Sequence, residues 1–103
     1  MACFWIDPAK LNHTFSKHGR DFGITGPWNK TNAPLLEQAI HDHVNDPAVV
    51  KIVGTYRGTI AVTHYLNPAT DLWVAIDMTD NFVAGWKLSP AQKSYLLRLG
   101  NIQ

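Results

Sequence analysis

A chain of 103 residues suits one compact domain, 1–103, and its 46% hydrophobic content excludes a disordered chain. Charged residues make up 17% and the formal net charge is +1, less basic than nucleic-acid binders usually are, which counts mildly against one. No apolar run reaches transmembrane length, and the single Cys3 excludes an internal disulfide and a cysteine-based metal site.

That cysteine usage is compatible with a reducing cytosol. No signal-peptide layout opens the chain, and the apolar start Met1-Ala-Cys-Phe-Trp-Ile is what the cut end of a larger protein would leave. The charge is unevenly spread. Residues 1–30 carry Lys10, Lys17, Arg20 and Lys30 against Asp7 and Asp21, whereas residues 31–50 carry Glu37, Asp42 and Asp46 and no Lys or Arg. With the acid gathered there, the remainder is mildly basic.

Asp7-Pro8 predicts a helix start, an N-cap oxygen followed by proline at the first helical position. Leu11, Phe15 and His18 share one face of a helix over 8–18, and Gly19 is the expected stop. Lys17 and His18 then fall in the last turn, where the helix dipole is expected to raise the His18 pKa. Residues 19–32 read as a loop punctuated by Gly23, Gly26-Pro27 and Asn29, with Trp28 pinned to the core or lining a cleft. Thr31 or Asn32 caps a second helix whose apolar stripe is Leu36, Ala39, Ile40 and Val44, ended by Asp46-Pro47.

Four strands follow, over 49–57, 59–66, 72–78 and 82–88, separated by Arg57-Gly58, Asn67-Pro68 and Thr79-Asp80-Asn81. Short connections predict an antiparallel meander. Even positions carry Ile60, Val62, Leu72, Val74, Ile76, Phe82 and Leu88, and odd positions carry Thr55, Arg57, Thr63, Tyr65, Asp77 and Lys87. The even face is therefore expected to hold the helices and the odd face to be open. Ser89-Pro90-Ala91-Gln92 is a capping box that opens a third helix, stopped by Gly100. The expected fold class is α+β: N-terminal helices packed on a four-stranded antiparallel sheet, with a C-terminal helix.

No Walker or dinucleotide loop and no Gly-x-Ser-x-Gly elbow is present. His41 and His43 stand two apart on a helix and point to different sides, so no metal site and no cofactor is expected. Histidine, lysine, arginine, hydroxyls and aromatics remain, the set that cleaves RNA without a metal. In that reaction the ribose 2′-OH attacks the adjacent phosphate, one group takes the 2′ proton, another protonates the leaving 5′ oxygen, and cations stabilise the phosphorane. His18 is the first candidate, because its pKa lies near neutrality. It also fits a ring packed at the end of an apolar stripe. His64 sits on the buried parity of the second strand, where a satisfied core histidine is the plainer reading, and His13 reads as helix surface. Trp86-Lys87 pairs an aromatic able to stack a base with a cation able to hold a phosphate, although Trp86 shares parity with Phe82 and Leu88 and equally fits the core. Arg57, at a strand end, is a phosphate clamp or a solvated charge.

Several stretches stand together in order: Lys17-His18-x-x-Asp21-Phe22-Gly23, Gly54-Thr55-Tyr56-Arg57-Gly58, Thr63-His64-Tyr65 and Gly85-Trp86-Lys87-Leu88-Ser89-Pro90. Over about Leu11 to Leu99 the chain resembles the C-terminal catalytic domain of the colicin D family and the related toxin tips of contact-dependent growth-inhibition proteins. The resemblance implies a fold of the barnase/EndoU/colicin/RelE type. It implies an endonuclease that cuts transfer RNA in the anticodon loop without metal, leaving 2′,3′-cyclic phosphate and 5′-hydroxyl ends. It also implies export within a larger effector, action in the target-cell cytoplasm, an immunity protein over the active site, and room for a host activating factor. His18 matches the family's catalytic histidine, Lys17 the lysine before it and Trp86 an active-site tryptophan. Phe15 stands where the family has a second lysine and Ala84 where it has a serine near the scissile phosphate. Thr63 and Ser16 are candidate replacements for that hydroxyl, and Lys87, Arg20 and Arg57 for that charge. The expected catalytic set is thus His18, Lys17, Trp86 and Lys87, with Arg20, Arg57, Thr63, His64 and Tyr65 as substrate contacts. The competing readings are a non-catalytic RNA-binding module that stacks bases on an aromatic sheet, and a protein-interaction domain with incidental histidines.

Overall fold

Three helices form where the sequence places them. In the computed structural model, which describes residues 4–103, helix α1 is Pro8–His18, and the Asp7 side chain accepts from the backbone N–H of Ala9 at 2.7 Å. Helix α2 is Asn32–Val44 and buries Leu36, Ile40 and Val44. Its N-terminus is served by neither Thr31 nor Asn32. The Asn29 side chain accepts from both of their backbone N–H groups, because it sits where its short carboxamide reaches two free donors. Helix α3 is Pro90–Leu99, closed at the start by the reciprocal Ser89–Gln92 capping box and at the end by Gly100 in the left-handed region. Cys3 lies outside the described residues.

Among the described residues the sheet has five strands rather than four. Strands β1 (Val50–Tyr56), β2 (Ile60–Leu66), β3 (Leu72–Asp77) and β4 (Phe82–Lys87) form the expected antiparallel meander, and β5 (Asn101–Ile102) adds in parallel beside β1. The order is β4-β3-β2-β1-β5. Two residues carry no periodicity, so β5 had no sequence signal. Gly100 reverses the chain at the end of α3, and the two residues after it drop onto β1.

The expectation of one buried parity fails, and connection length is the reason. Three residues, 57–59, separate the paired Tyr56 and Ile60, an odd number that keeps even residues on one face. Six residues, 67–72, separate Leu66 and Trp73, and the parity switches there. Val62 and Leu66 therefore share a face with Trp73 and Ala75, while Tyr65 shares the other with Val74. Both faces are covered. Tyr65, Val74, Ile76 and Phe82 pack with Leu11 of α1 and Leu36, Ile40 and Val44 of α2. Val62, Leu66, Trp73 and Ala75 pack with Leu96 of α3 and Ile102 of β5.

A bulge in β4 matters most for function. Ile76 pairs with Phe82, but the next residue of β3, Ala75, pairs with Ala84, which leaves Val83 as the extra residue. A bulge re-aims the residues beyond it. Phe82 stays in the α1/α2 core, whereas Trp86 pairs with Trp73 and joins the opposite cluster. The shared even parity of Phe82 and Trp86 thus hid the fact that they face opposite ways.

His64 locks this second face. It is fully buried; its Nδ1 accepts from the Trp73 indole N–H at 2.9 Å, and its Nε2 lies 3.1 Å from the Gly100 carbonyl. An indole N–H can only donate, so Nδ1 is the acceptor and Nε2 carries the proton donated to Gly100. Gly54 allows the same approach on the neighbouring strand, since a Cβ there would strike the Gly100 carbonyl group. Gly54→Ala should destabilise the fold by about 1–3 kcal/mol through overpacking. Thermal unfolding followed by circular dichroism should then show a clear drop in Tm, at about 4–8 °C per kcal/mol for a domain of this size. An unchanged melt would mean that the α3–β5 turn is not held against β1.

Candidate active site

The site begins at the end of α1. The backbone leaves the helix at His18 (φ −136°, ψ 11°) and enters a 3-10 turn, Gly19–Phe22. The helix ends where expected, with Gly19 as its C-cap, but Gly19 is not the left-handed residue. Gly19 keeps helical dihedrals and is buried, and the left-handed residue is Gly23 (φ 79°). The backbone N–H groups of Gly23 and Ile24 take the Arg20 and Gly19 carbonyls, so the turn extends the helix end by one tight coil. This puts Asp21 one turn beyond His18. Its Oδ2 lies 3.8 Å from His18 Nδ1 and accepts from the backbone N–H of Lys87 at 3.0 Å. One carboxylate therefore joins the end of α1 to the end of β4.

The ring of His18 lies 5.3 Å from that of Trp86, centroid to centroid. Trp86 in turn packs edge-on to Trp73 at 4.6 Å and faces Tyr56 at 6.4 Å. Its indole N–H reaches Gln92 Oε1 at 3.3 Å, the same oxygen that accepts from Ser89 N–H in the α3 capping box. The start of α3 thus fixes the orientation of Trp86.

In front of this wall is a cleft of about 720 Å³ whose rim carries Lys10, His13, His18 and Arg57 and whose floor includes Tyr56, Ala84 and Trp86. None of its lining residues is a carboxylic acid. Arg57 reaches it from the β1–β2 turn in a left-handed conformation (φ 54°), with its guanidinium 5.2 Å above the Tyr56 ring. That conformation costs a non-glycine residue about 1–3 kcal/mol and persists only when its surroundings fix it. Asn101 supplies the fixing contacts: its Oδ1 accepts from Gly58 N–H at 2.9 Å and from the Thr55 hydroxyl at 3.0 Å.

His18 does not behave as its place at a helix end implies. Its pKa is lowered from the ordinary 6.5, foremost by burial. Asp21 pulls it upward, while His13 and Lys17 push it down. The Trp86 ring beside it is part of that burial. His18 is therefore largely neutral at pH 7, with Nδ1 toward Asp21 and Nε2 left to exchange a proton.

The sequence-based candidates divide into three groups. His18, Trp86 and Arg57 meet in the cleft. Lys17 and Arg20 line an adjoining groove with Trp28, on the other side of the α1 end. Lys87 is exposed and enters the site through its backbone N–H. The structure keeps the other three away from the cleft. Thr63 pairs with Ile76 of the α1/α2 core, His64 is interior with both ring nitrogens engaged, and Tyr65 is buried against α2, its carbonyl accepting from His43 Nε2 at 2.8 Å. Sequence reasoning left out Lys10, Tyr56 and Gln92 and placed His13 on an indifferent helix surface. The i, i+3, i+8 spacing puts Lys10, His13 and His18 toward one side of α1, but that side is a cleft wall only because the helix packs along the edge strand β4, a packing choice with no local signature.

A histidine beside a carboxylate, in a cleft whose rim carries Lys10, His13 and Arg57 and whose floor is the half-buried Trp86 over the buried Tyr56, is the candidate site of a small α+β domain. The colicin D family profile matches residues 10–96, and the chain belongs to that family. Colicin-D of Escherichia coli is 36% identical over 75 residues, which are 72% of this chain and 11% of that protein, so the chain spans about a ninth of its relative. A solved Escherichia coli ribonuclease, complexed with its inhibitor protein, superposes with a TM-score of 0.77 at 32% identity, over 89% of this chain and 99% of that one. The family resemblance read from the sequence motifs is thereby borne out.

Because Asp21 is the group that raises the His18 pKa, Asp21→Asn should move it further down. Titration of the imidazole Cε1 proton by NMR should give a midpoint below 6.5 in the native protein and a lower one in the variant. A native midpoint at or above 6.5, or an upward shift in the variant, would contradict this electrostatic picture.

Proposed function

We propose that this domain is a toxin ribonuclease that cuts transfer RNA in the anticodon loop without a metal ion, as the tip of a secreted effector acting in the cytoplasm of a target cell. The observation that carries the reading is His18, neutral and oriented by Asp21, in a cleft whose rim carries Lys10, His13 and Arg57 and no carboxylate. The ribonuclease of similar fold and the family membership support it.

The steps balance on side chains alone. His18 Nε2 takes the proton of the ribose 2′-OH, and the 2′ oxygen attacks phosphorus. Lys10 and Arg57 stabilise the extra negative charge of the phosphorane, and Lys17 adds its field from the adjoining groove. The P–O5′ bond breaks, His13 in its imidazolium form protonates the leaving oxygen, and the products are a 2′,3′-cyclic phosphate and a 5′-hydroxyl. Trp86 stacks a base beside the scissile bond. A rim of cations and imidazoles offers a hard divalent ion no carboxylate ligand. A cleft of this volume admits an unstacked nucleotide rather than a duplex, which favours a loop over a stem.

The solved relative is bound to its inhibitor protein, and a cognate immunity protein over this cleft follows by analogy. Its surface there should be acidic, to match the cationic rim. A host activating factor enters the proposal as an addition to be supplied from cell extract.

The test is incubation of inhibitor-free protein with total bacterial transfer RNA in EDTA, with and without cell extract, followed by end mapping. Discrete cuts with 5′-hydroxyl ends are expected. His18→Ala should slow them by about 10²–10⁴-fold, and His13→Gln should slow them within the same range. Cleavage by His18→Ala near the native rate would refute the catalytic assignment, and intact RNA under all conditions would refute the ribonuclease reading.

A further inference from the structure

The end of α1 separates two depressions. On one side is the cleft already described. On the other is a groove of about 810 Å³ formed by the last turn of α1, the 3-10 turn and the loop before α2. Consecutive residues divide between them: Lys17 lines the groove and His18 the cleft.

Three features of the groove point to one kind of ligand. First, Trp28 is 41% exposed, a large aromatic ring left open to solvent, with its partner Phe15 edge-on at 5.3 Å. Second, Lys17 and Arg20 line it and no carboxylate does. Third, the loop that presents Trp28 is held by contacts independent of the indole. Asn29 caps α2 through two backbone N–H groups, and Asn32 Nδ2 donates to the Pro27 carbonyl at 2.8 Å. Between those two asparagines and Gly26, which holds φ 93° close against Asn32, the ring is positioned before any ligand arrives. Two exposed positive charges beside an open indole on a braced loop suit a stacked base with its flanking phosphates. Phe15 adds a second aromatic wall.

We propose that this groove is a second nucleotide subsite, in which Trp28 stacks an unpaired base next to the scissile position while Lys17 and Arg20 contact its phosphates. The RNA strand then crosses the α1 end, with the reacting phosphate at His18 and the neighbouring base in the groove. Which RNA fills the subsite rests on the ribonuclease reading, whereas the existence of the subsite does not. Trp28 is a substrate-positioning residue whose loss acts on binding, and His18 is the group whose loss acts on the chemical step.

The experiment measures binding by fluorescence anisotropy in the cleavage-blocked His18→Ala background. The probes are labelled poly-uridine and an abasic ribose-phosphate oligomer of equal length. Trp28→Ala should weaken poly-uridine binding by about 5- to 150-fold and leave the abasic oligomer nearly unaffected, and Trp28→Phe should restore most of the loss. Arg20→Ala should weaken both probes alike and reduce the salt dependence by about one phosphate contact. Circular dichroism confirms that each variant is folded. Equal affinity of Trp28→Ala and its parent for poly-uridine would overturn the subsite, and so would equal losses on both probes. In the His18-intact protein, Trp28→Ala should raise KM for transfer RNA with kcat little changed. Cleavage with an unchanged KM would overturn the subsite and leave the ribonuclease reading intact. Trp28-dependent binding without cleavage by the His18-intact protein would do the reverse.

Discussion

Two elements that never meet in sequence are joined through the Asp21 carboxylate. One of its oxygens accepts from the backbone of Lys87 at the end of β4 and stands 3.8 Å from His18 at the end of α1. The cleft is the space between those two ends. The contact adds a polar tie to the packing of Phe22, in the same 3-10 turn, against Gly85 of β4 and the α1/α2 core. The same carboxylate partly offsets the burial that depresses the His18 pKa.

Behind the cleft, a continuous set of rings and hydrogen bonds fixes its floor. His18 lies against Trp86, Trp86 against Trp73, and Trp73 donates to His64, which donates to Gly100. Buried polar groups of this kind cost about 1–3 kcal/mol when a partner is removed, so the network specifies one packing. His64 acts here as a structural residue. It pins the turn that sends β5 back along β1, and Asn101 of β5 holds the turn that carries Arg57. The placement of Arg57 at the cleft is thus linked, through the chain from Gly100 to Asn101, to a buried histidine on the next strand.

How much of this was legible in the sequence varied with how local the cause was. Asp7-Pro8 and the Ser89–Gln92 box placed two helix starts correctly, because capping is decided within four residues. The four-strand meander was equally legible from its turns. The faces were not, because parity depends on connection length and on the Val83 bulge, and only the register reveals either. Gly19 was rightly read as the stop of α1, but the 3-10 turn that follows it, closed by the left-handed Gly23, had no such signal. His18 was singled out by its motif and its neighbours. The depressed pKa was invisible, since it comes chiefly from burial created by tertiary packing, in which a tryptophan 68 positions away stands beside the ring. His13 was discounted for the same reason: a helix surface becomes a cleft wall only when a sheet edge stands opposite.

The central claim is that His18 is a desolvated, neutral base that drives cleavage. The direct measurement is the pH dependence of single-turnover cleavage of transfer RNA by the native domain. A group that must be deprotonated loses activity as pH falls through its pKa, so a pKa lowered from 6.5 puts the acidic limb of the profile below that value. The fall in rate at low pH should therefore be centred below 6.5, with that acidic limb absent from the residual activity of His18→Ala. An acidic limb centred above 6.5, or one that persists in His18→Ala, would contradict the assignment of His18 as the base.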